Sequence, residues 1–93
     1  MSNRLEDEVA VVTGGGGGIG EAVCHRFAEA GANVIAVDVD GDTARSTAER
    51  IETDTGRTAV GVETDVSDEA QVKAMADIVD DRFDRVDVLV NNA

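Results

Sequence analysis

Six glycines fall within the eight residues Thr13–Gly20, and no other feature of this 93-residue chain restricts its folding so tightly. Glycine is the costliest ordinary residue to order inside a helix or strand, so so dense a cluster marks either a turn or a flexible linker. Its flanks decide between the two. Val9-Ala-Val-Val12, just before it, is a continuous apolar run, the pattern of a strand buried on both faces of a parallel sheet. After it, Ile19, Val23, Phe27 and Ala30 recur at helical spacing over about 19–30, and Gly31 stands where a helix stops. A linker has no reason to separate a buried strand from an amphipathic helix. The glycines therefore read as a strand-to-helix turn.

The alternation continues along the chain. Asn33-Val-Ile-Ala-Val37 is a second strand candidate, and residues 41–53 permit a helix with Ala44, Ala48 and Ile51 on a weak stripe. Thr58-Ala-Val-Gly-Val62 reads as a third strand. Ser67 is expected to cap the next helix, with Asp68 and Glu69 well placed in its first turn. Val72, Met75, Ala76, Val79 and Phe83 form that helix's apolar stripe, while Asp77, Asp80, Asp81 and Asp84 face water. Val86-Asp-Val-Leu-Val90 is the fourth strand. The order β-α-β-α-β-α-β implies parallel pairing through right-handed crossovers, hence one small open α/β sheet with helices on its faces. No internal repeat or second domain interrupts it.

Charge narrows the partners. Twenty Asp and Glu face eight Lys and Arg, a net charge of -12, and Lys73 is the sole lysine. Such a surface argues against nucleic acid and against anionic membranes, both of which need basic patches. No apolar run approaches a membrane span, and the first residues are too acidic for a signal peptide. Cys24 stands alone, so no internal disulfide forms and a reducing compartment is expected. These features describe a soluble cytoplasmic protein. An acid-rich chain with two aromatic residues has a disorder-like composition, but the strict apolar patterning argues for a folded one. The scarcity of lysine resembles proteins of salt-loving microbes, where dense screening relieves self-repulsion.

The turn also carries chemistry. Glycine lets a phosphate approach the backbone with no Cβ in the way, and the following helix points its free N–H groups and positive dipole end at the same spot. A triphosphatase loop needs a lysine after its last glycine, and none precedes Lys73. Asp38 ends the second strand 18 residues after Gly20, near the spacing of the acid that binds an adenosine ribose. Its carboxylate accepts from ribose hydroxyls and repels a 2′-phosphate. With Asp40 nearby and no Arg or Lys beside it, NAD is favoured over NADP. Metal sites are not expected. Cys24 and His25 have no second ligand pair and read as a packed thiol and a solvated imidazole, and the acids of 77–87 lack calcium-loop spacing.

Taken in order, Thr13-Gly-Gly-Gly-Gly-Gly-Ile-Gly20, Asp38, Thr64-Asp65-Val66 and Leu89-Val-Asn91-Asn92-Ala93 resemble the N-terminal half of a short-chain dehydrogenase/reductase. The short type of that family carries T-G-x-x-x-G-x-G, matched by Thr13, Gly14, Gly18 and Gly20. The extended type's T-G-x-x-G-x-x-G is met equally by Gly14, Gly17 and Gly20, and Asn91-Asn92-Ala93 favours the short type. The resemblance implies a Rossmann-type sheet of order 3-2-1-4, with residues 1–93 forming part of an NAD(P)-binding domain. It implies that Thr13, Gly14, Gly18, Ile19 and Gly20 hold the pyrophosphate and that Asp38 binds the ribose. Asp65 and Val66 then border the adenine, while Asn91 and Ala93 line the cofactor, Asn91 also tying neighbouring strands.

The implied activity is that of an oxidoreductase interconverting alcohol and carbonyl with NAD. The family's acid/base set, a Ser and a Tyr-x-x-x-Lys with an Asn on the helix after the fourth strand, is not met here, since the chain has no tyrosine. The 93 residues alone are expected to be inactive. A fourth strand left as an open edge predicts self-association. Two alternatives stand beside this reading. One is a non-catalytic NAD-binding remnant. The other is a methyltransferase fragment using S-adenosylmethionine, which it resembles less because an acid usually stands where Thr13 does.

Overall fold

Residues 5–92 are described by a computed structural model of the chain. Strand β1 spans Val9–Thr13 and is buried at every position, as its unbroken apolar run requires. There follow α1 (Gly18–Glu29), β2 (Asn33–Asp38), α2 (Gly41–Thr55), β3 (Ala59–Glu63), α3 (Glu69–Phe83) and β4 (Val88–Asn91). All pairings are parallel and the sheet order is β3-β2-β1-β4, the doubly wound Rossmann arrangement expected from the sequence. Connections leave β1 toward β2 on one side and reach β4 on the other. The strand order therefore reverses at β1, and the carboxyl ends of β1 and β4 flank the crevice where such sheets bind ligands.

Side chains alternate across the sheet, so consecutive residues of each strand feed two different cores. Ala10, Val12, Val34 and Ala36 meet Cys24 and Ala28 of α1 and Ala48 and Ile51 of α2. On the opposite face Val9, Val11, Ile35, Val37 and Val62 meet Val79 of α3, with Met75 and Phe83 partly buried against them. A groove of about 560 Å³ remains on this second face, lined chiefly by Val11, Met75, Val79, Val86 and Leu89. Among the described residues no helix is long and apolar enough to cross a membrane.

Four local expectations are corrected. The buried stripe of α1 is Gly20, Cys24 and Ala28, with Val23 and Phe27 only partly buried and Ile19 left 75% exposed. Small residues at four-residue spacing let the helix lie close to the sheet, and that closeness outweighs the size of the Ile19 side chain. The N-cap of α3 is Asp68, not Ser67: its carboxylate accepts the Ala70 and Gln71 N–H groups at 3.0 and 3.3 Å. A charged acceptor serves the helix dipole better than a hydroxyl, and the Ser67 hydroxyl is already donated to Asp65. Ala76 lies exposed on α3 rather than in its stripe. Strand β4 starts at Val88 rather than Val86, because Asp87 turns its side chain back to accept the Val9 N–H at 2.8 Å.

Candidate functional site

Thr13, the last residue of β1, is almost fully buried and joins the ends of two strands. Its Oγ1 hydrogen is shared between the Val90 carbonyl and Asn91 Oδ1, each at 3.2 Å, and the same oxygen accepts the Asn92 N–H at 2.9 Å. Threonine suits the position because one hydroxyl both donates and accepts. The next residue, Gly14, takes φ +68°, the left-handed region, and a Cβ there would stand 3.1 Å from the Asn92 carbonyl oxygen. Gly20 lies against the Gly14 carbonyl so closely that a Cβ would fall inside its van der Waals radius. The helix therefore starts hard against the turn.

Gly17 and Gly18 face the other way. A Cβ at either would meet nothing within 4 Å, and Gly17, as the N-cap of α1, offers no side chain to the first-turn N–H groups. A helix end that opens onto free space with unsatisfied donors is an anion cradle. Its shape and donor chemistry fit a pyrophosphate.

Asp38 closes β2 beside this cradle. Its Oδ2 accepts the Gly16 N–H and its Oδ1 the Asp40 N–H, both at 3.0 Å. Each carboxylate oxygen keeps a lone pair for another donor. The Gly15 N–H donates to the Val37 carbonyl at 2.9 Å, so the turn is laced to the end of β2 by two consecutive amides. The Thr64 N–H donates to the Asp38 carbonyl at 2.8 Å and brings the β3–α3 loop to the same edge. There the Asp65 carboxylate accepts the Ser67 hydroxyl at 2.6 Å and its N–H at 2.9 Å. These bonds, the hydroxyl first, hold the Asp65 carboxyl below the usual range. Val66 is 45% exposed beside it.

The structure thus gathers Thr13, Gly14, Gly18, Gly20, Asp38 and Asn91 at the carboxyl end of the sheet, with Asp65 and Val66 on the adjoining loop. Ile19 sits in the first turn of α1 with its side chain outward. Ala93 lies outside the described residues. Two participants escaped the sequence reading. Asn92 contacts Gly14 and Gly20 and donates to Thr13; its place between Asn91 and Ala93 was the available signal. Thr43, in the first turn of α2, stands over Gly16, a contact between residues 27 apart that periodicity cannot register.

Cys24 is fully buried, and burial, then the charge of Glu21, pushes its thiol up to about 12, so it stays an unreactive packing group. His25 reaches Asp54 at 3.2 Å rather than standing free. Among the described residues no group of acids, His and Cys is arranged to hold a metal ion.

A profile of the short chain dehydrogenase family matches residues 8–93. This chain belongs to the short-chain dehydrogenase/reductase family. It is 37% identical over 90 residues to the 7alpha-hydroxysteroid dehydrogenase of Escherichia coli (strain K12), covering 97% of this chain and 35% of that protein. The D-threitol dehydrogenase of Mycolicibacterium smegmatis is 42% identical over 90 residues, covering 97% and 34%. A solved hydroxysteroid dehydrogenase from Escherichia coli superposes with a TM-score of 0.92 at 36% identity, over 98% of this chain and 38% of the other. The chain thus spans about a third of the length of the curated relatives it matches.

Proposed function

We propose that these residues are the dinucleotide-binding part of an NAD-dependent short-chain dehydrogenase/reductase that interconverts an alcohol and a carbonyl. One observation carries the reading: an open, glycine-lined helix start and a ribose-type carboxylate, Asp38, are hydrogen-bonded into one unit at the reversal point of the sheet. In it the N–H groups at Gly18, Ile19 and Gly20 hold a pyrophosphate, with Thr13 and Gly14 setting the turn. Asp38 accepts the adenosine ribose hydroxyls through its remaining lone pairs. Asp65 and Val66 border the adenine, and Asn91 and Ala93 line the approach to the nicotinamide. When bound, the nicotinamide accepts or supplies a hydride.

Preference for NAD over NADP rests on charge. A 2′-phosphate at Asp38 would meet that carboxylate and Asp40, and the neighbouring Val39, 69% exposed, supplies no cation. The family's tyrosine acid/base is absent from this sequence, so none of these residues is assigned to proton transfer. The same reading includes residues 1–93 as part of one Rossmann domain, a cytoplasmic setting and a salt-rich cell, the last from twenty acids against eight bases. It also includes self-association of the isolated chain, since Leu89 and Val86 stay 66% and 52% exposed beside an apolar groove.

Calorimetric titration of the full chain with NAD and NADP tests the central claim. NAD is expected to bind more tightly, and Asp38→Asn to cut that preference about tenfold, the scale of one hydrogen bond to a charged group. Absence of binding to either nucleotide would overturn it.

A further inference from the structure

In the family pattern T-G-x-x-x-G-x-G, Gly16 occupies an unconstrained position. We infer that Gly16 is nonetheless a specificity-determining residue in this chain: it must be glycine so that its N–H can hold the Asp38 carboxylate under Thr43, and it thereby sets the choice between NAD and NADP. The inference rests on the reading of Asp38 as the ribose acceptor and adds the device that positions it.

Three observations support it. First, the Gly16 N–H donates to Asp38 Oδ2 at 3.0 Å, a bond across 22 residues that joins the glycine turn to the end of β2. Second, a Cβ on Gly16 would lie 3.0 Å from that same Oδ2 and 3.0 Å from Thr43 Cβ, and within van der Waals overlap of Thr43 Oγ1. Neighbouring Gly17 and Gly18 would meet nothing, so the restriction belongs to this glycine and not to the run as a whole. Third, Thr43 is not free to withdraw. It sits in the first turn of α2, its Oγ1 donates to the Asp40 carbonyl at 3.0 Å, and its N–H is held by the Asp40 carboxylate at 3.2 Å. A methyl group at residue 16 therefore overlaps Thr43 Oγ1 most and crowds Asp38 Oδ2 as well, and with Thr43 fixed in the first turn of α2 the strain falls on the bond between the Gly16 N–H and Asp38.

The consequence falls on selectivity. Asp38 favours a ligand with free ribose hydroxyls and opposes one with a 2′-phosphate, so displacing its carboxylate weakens the first and relieves the second. Loss of the pyrophosphate turn, by contrast, would weaken both alike.

The test is calorimetric titration of the full chain and its variants with NAD, NADP and ADP-ribose. Gly16→Ala is expected to weaken NAD and ADP-ribose about tenfold while leaving NADP within about twofold, so that the ratio of the two dinucleotide affinities moves. Thr43→Ala alone supplies the reference from which the coupling between the two positions is read. The double variant Gly16→Ala/Thr43→Ala should regain most of the loss, the non-additivity that marks a direct contact. Equal losses for NAD and NADP, or no loss, would overturn the inference while leaving the dinucleotide reading intact. A wild-type chain that binds none of the three ligands removes both. Should Gly16→Ala not fold, amide hydrogen exchange supplies the second measurement. The Gly16 N–H should exchange about tenfold faster in Asp38→Ala than in wild type, and unchanged exchange would refute the bond on which the inference depends.

Discussion

Helices α2 and α3 are close to a controlled comparison. Each has 15 residues, each starts from an aspartate N-cap whose carboxylate accepts two backbone N–H groups, and each ends on a left-handed residue, Gly56 or Asp84. Yet α2 buries Gly41, Ala44, Thr47, Ala48 and Ile51, whereas α3 buries Val79 alone. The richer set of large apolar residues belongs to α3, with Val72, Met75, Ile78, Val79 and Phe83. Small residues account for the reversal. Gly61 of β3 has no side chain, and a Cβ there would stand 2.5 Å from the Ala44 carbonyl, so α2 lies with its backbone directly on the sheet. Larger side chains hold α3 farther off, and Ile78 and Leu89 remain exposed around it. Burial in this protein follows the distance of approach, not the apolar content of the helix.

Substitutions at matched positions put this contrast at risk. Ile51→Ala in α2 removes a side chain with no exposed surface and should cost about 2–5 kcal/mol in denaturant melts. Met75→Ala in the equivalent stripe of α3 leaves a half-open site and should cost under about 1 kcal/mol. Comparable costs would break the comparison, because they would mean that α3 is packed as tightly as α2.

The caps should not share that asymmetry, being local. Asp40→Ala and Asp68→Ala are each expected to lose about 1 kcal/mol, read from the same melts. A much larger loss at Asp40 would break the equivalence of the two caps. At the other end, Asp84 carries φ +61° where α2 has glycine, so Asp84→Gly should stabilise by about 0.5–1 kcal/mol. Gly56→Asp would move α2 in the opposite direction.

The smallest effect concerns the join between β1 and β4. The Asp87 carboxyl is held below its usual range, first by the Arg85 guanidinium at 2.5 Å and then by the Val9 N–H. A carboxyl depressed in the folded state contributes stability that is complete above the unfolded value of about 3.9 and disappears as pH falls through the lower folded one. Between about pH 5 and pH 3, wild type should therefore lose slightly more stability than Asp87→Asn. Parallel pH profiles of the two proteins would exclude the coupling.

Much of this was legible in the residues themselves. The apolar runs at Val9–Val12 and Asn33–Val37, the helical periodicities and the glycine turn determined the element order, and the order determined a parallel sheet through the handedness of its crossovers. The glycines and Asp38 stood out as candidates because a phosphate turn and a ribose acid would impose residue types at fixed spacings on adjacent elements, whereas Thr13 and Asn91 came only through the resemblance to the short-chain dehydrogenase/reductase motifs. Periodicity measures only which residues could face a core. It put Ile19 and Ala76 in stripes that the folded chain leaves open, since depth depends on what approaches from across the sheet. The Asp68 cap shows the same limit at short range: Ser67 was a sound candidate until its hydroxyl found Asp65. Tertiary structure alone decided that Asn92 would support Gly14, that α2 would outbury α3, and that Gly16 would meet Asp38 and Thr43. Those contacts join residues 20 to 80 positions apart, and contacts at that range leave no pattern in a single sequence because nothing local requires them.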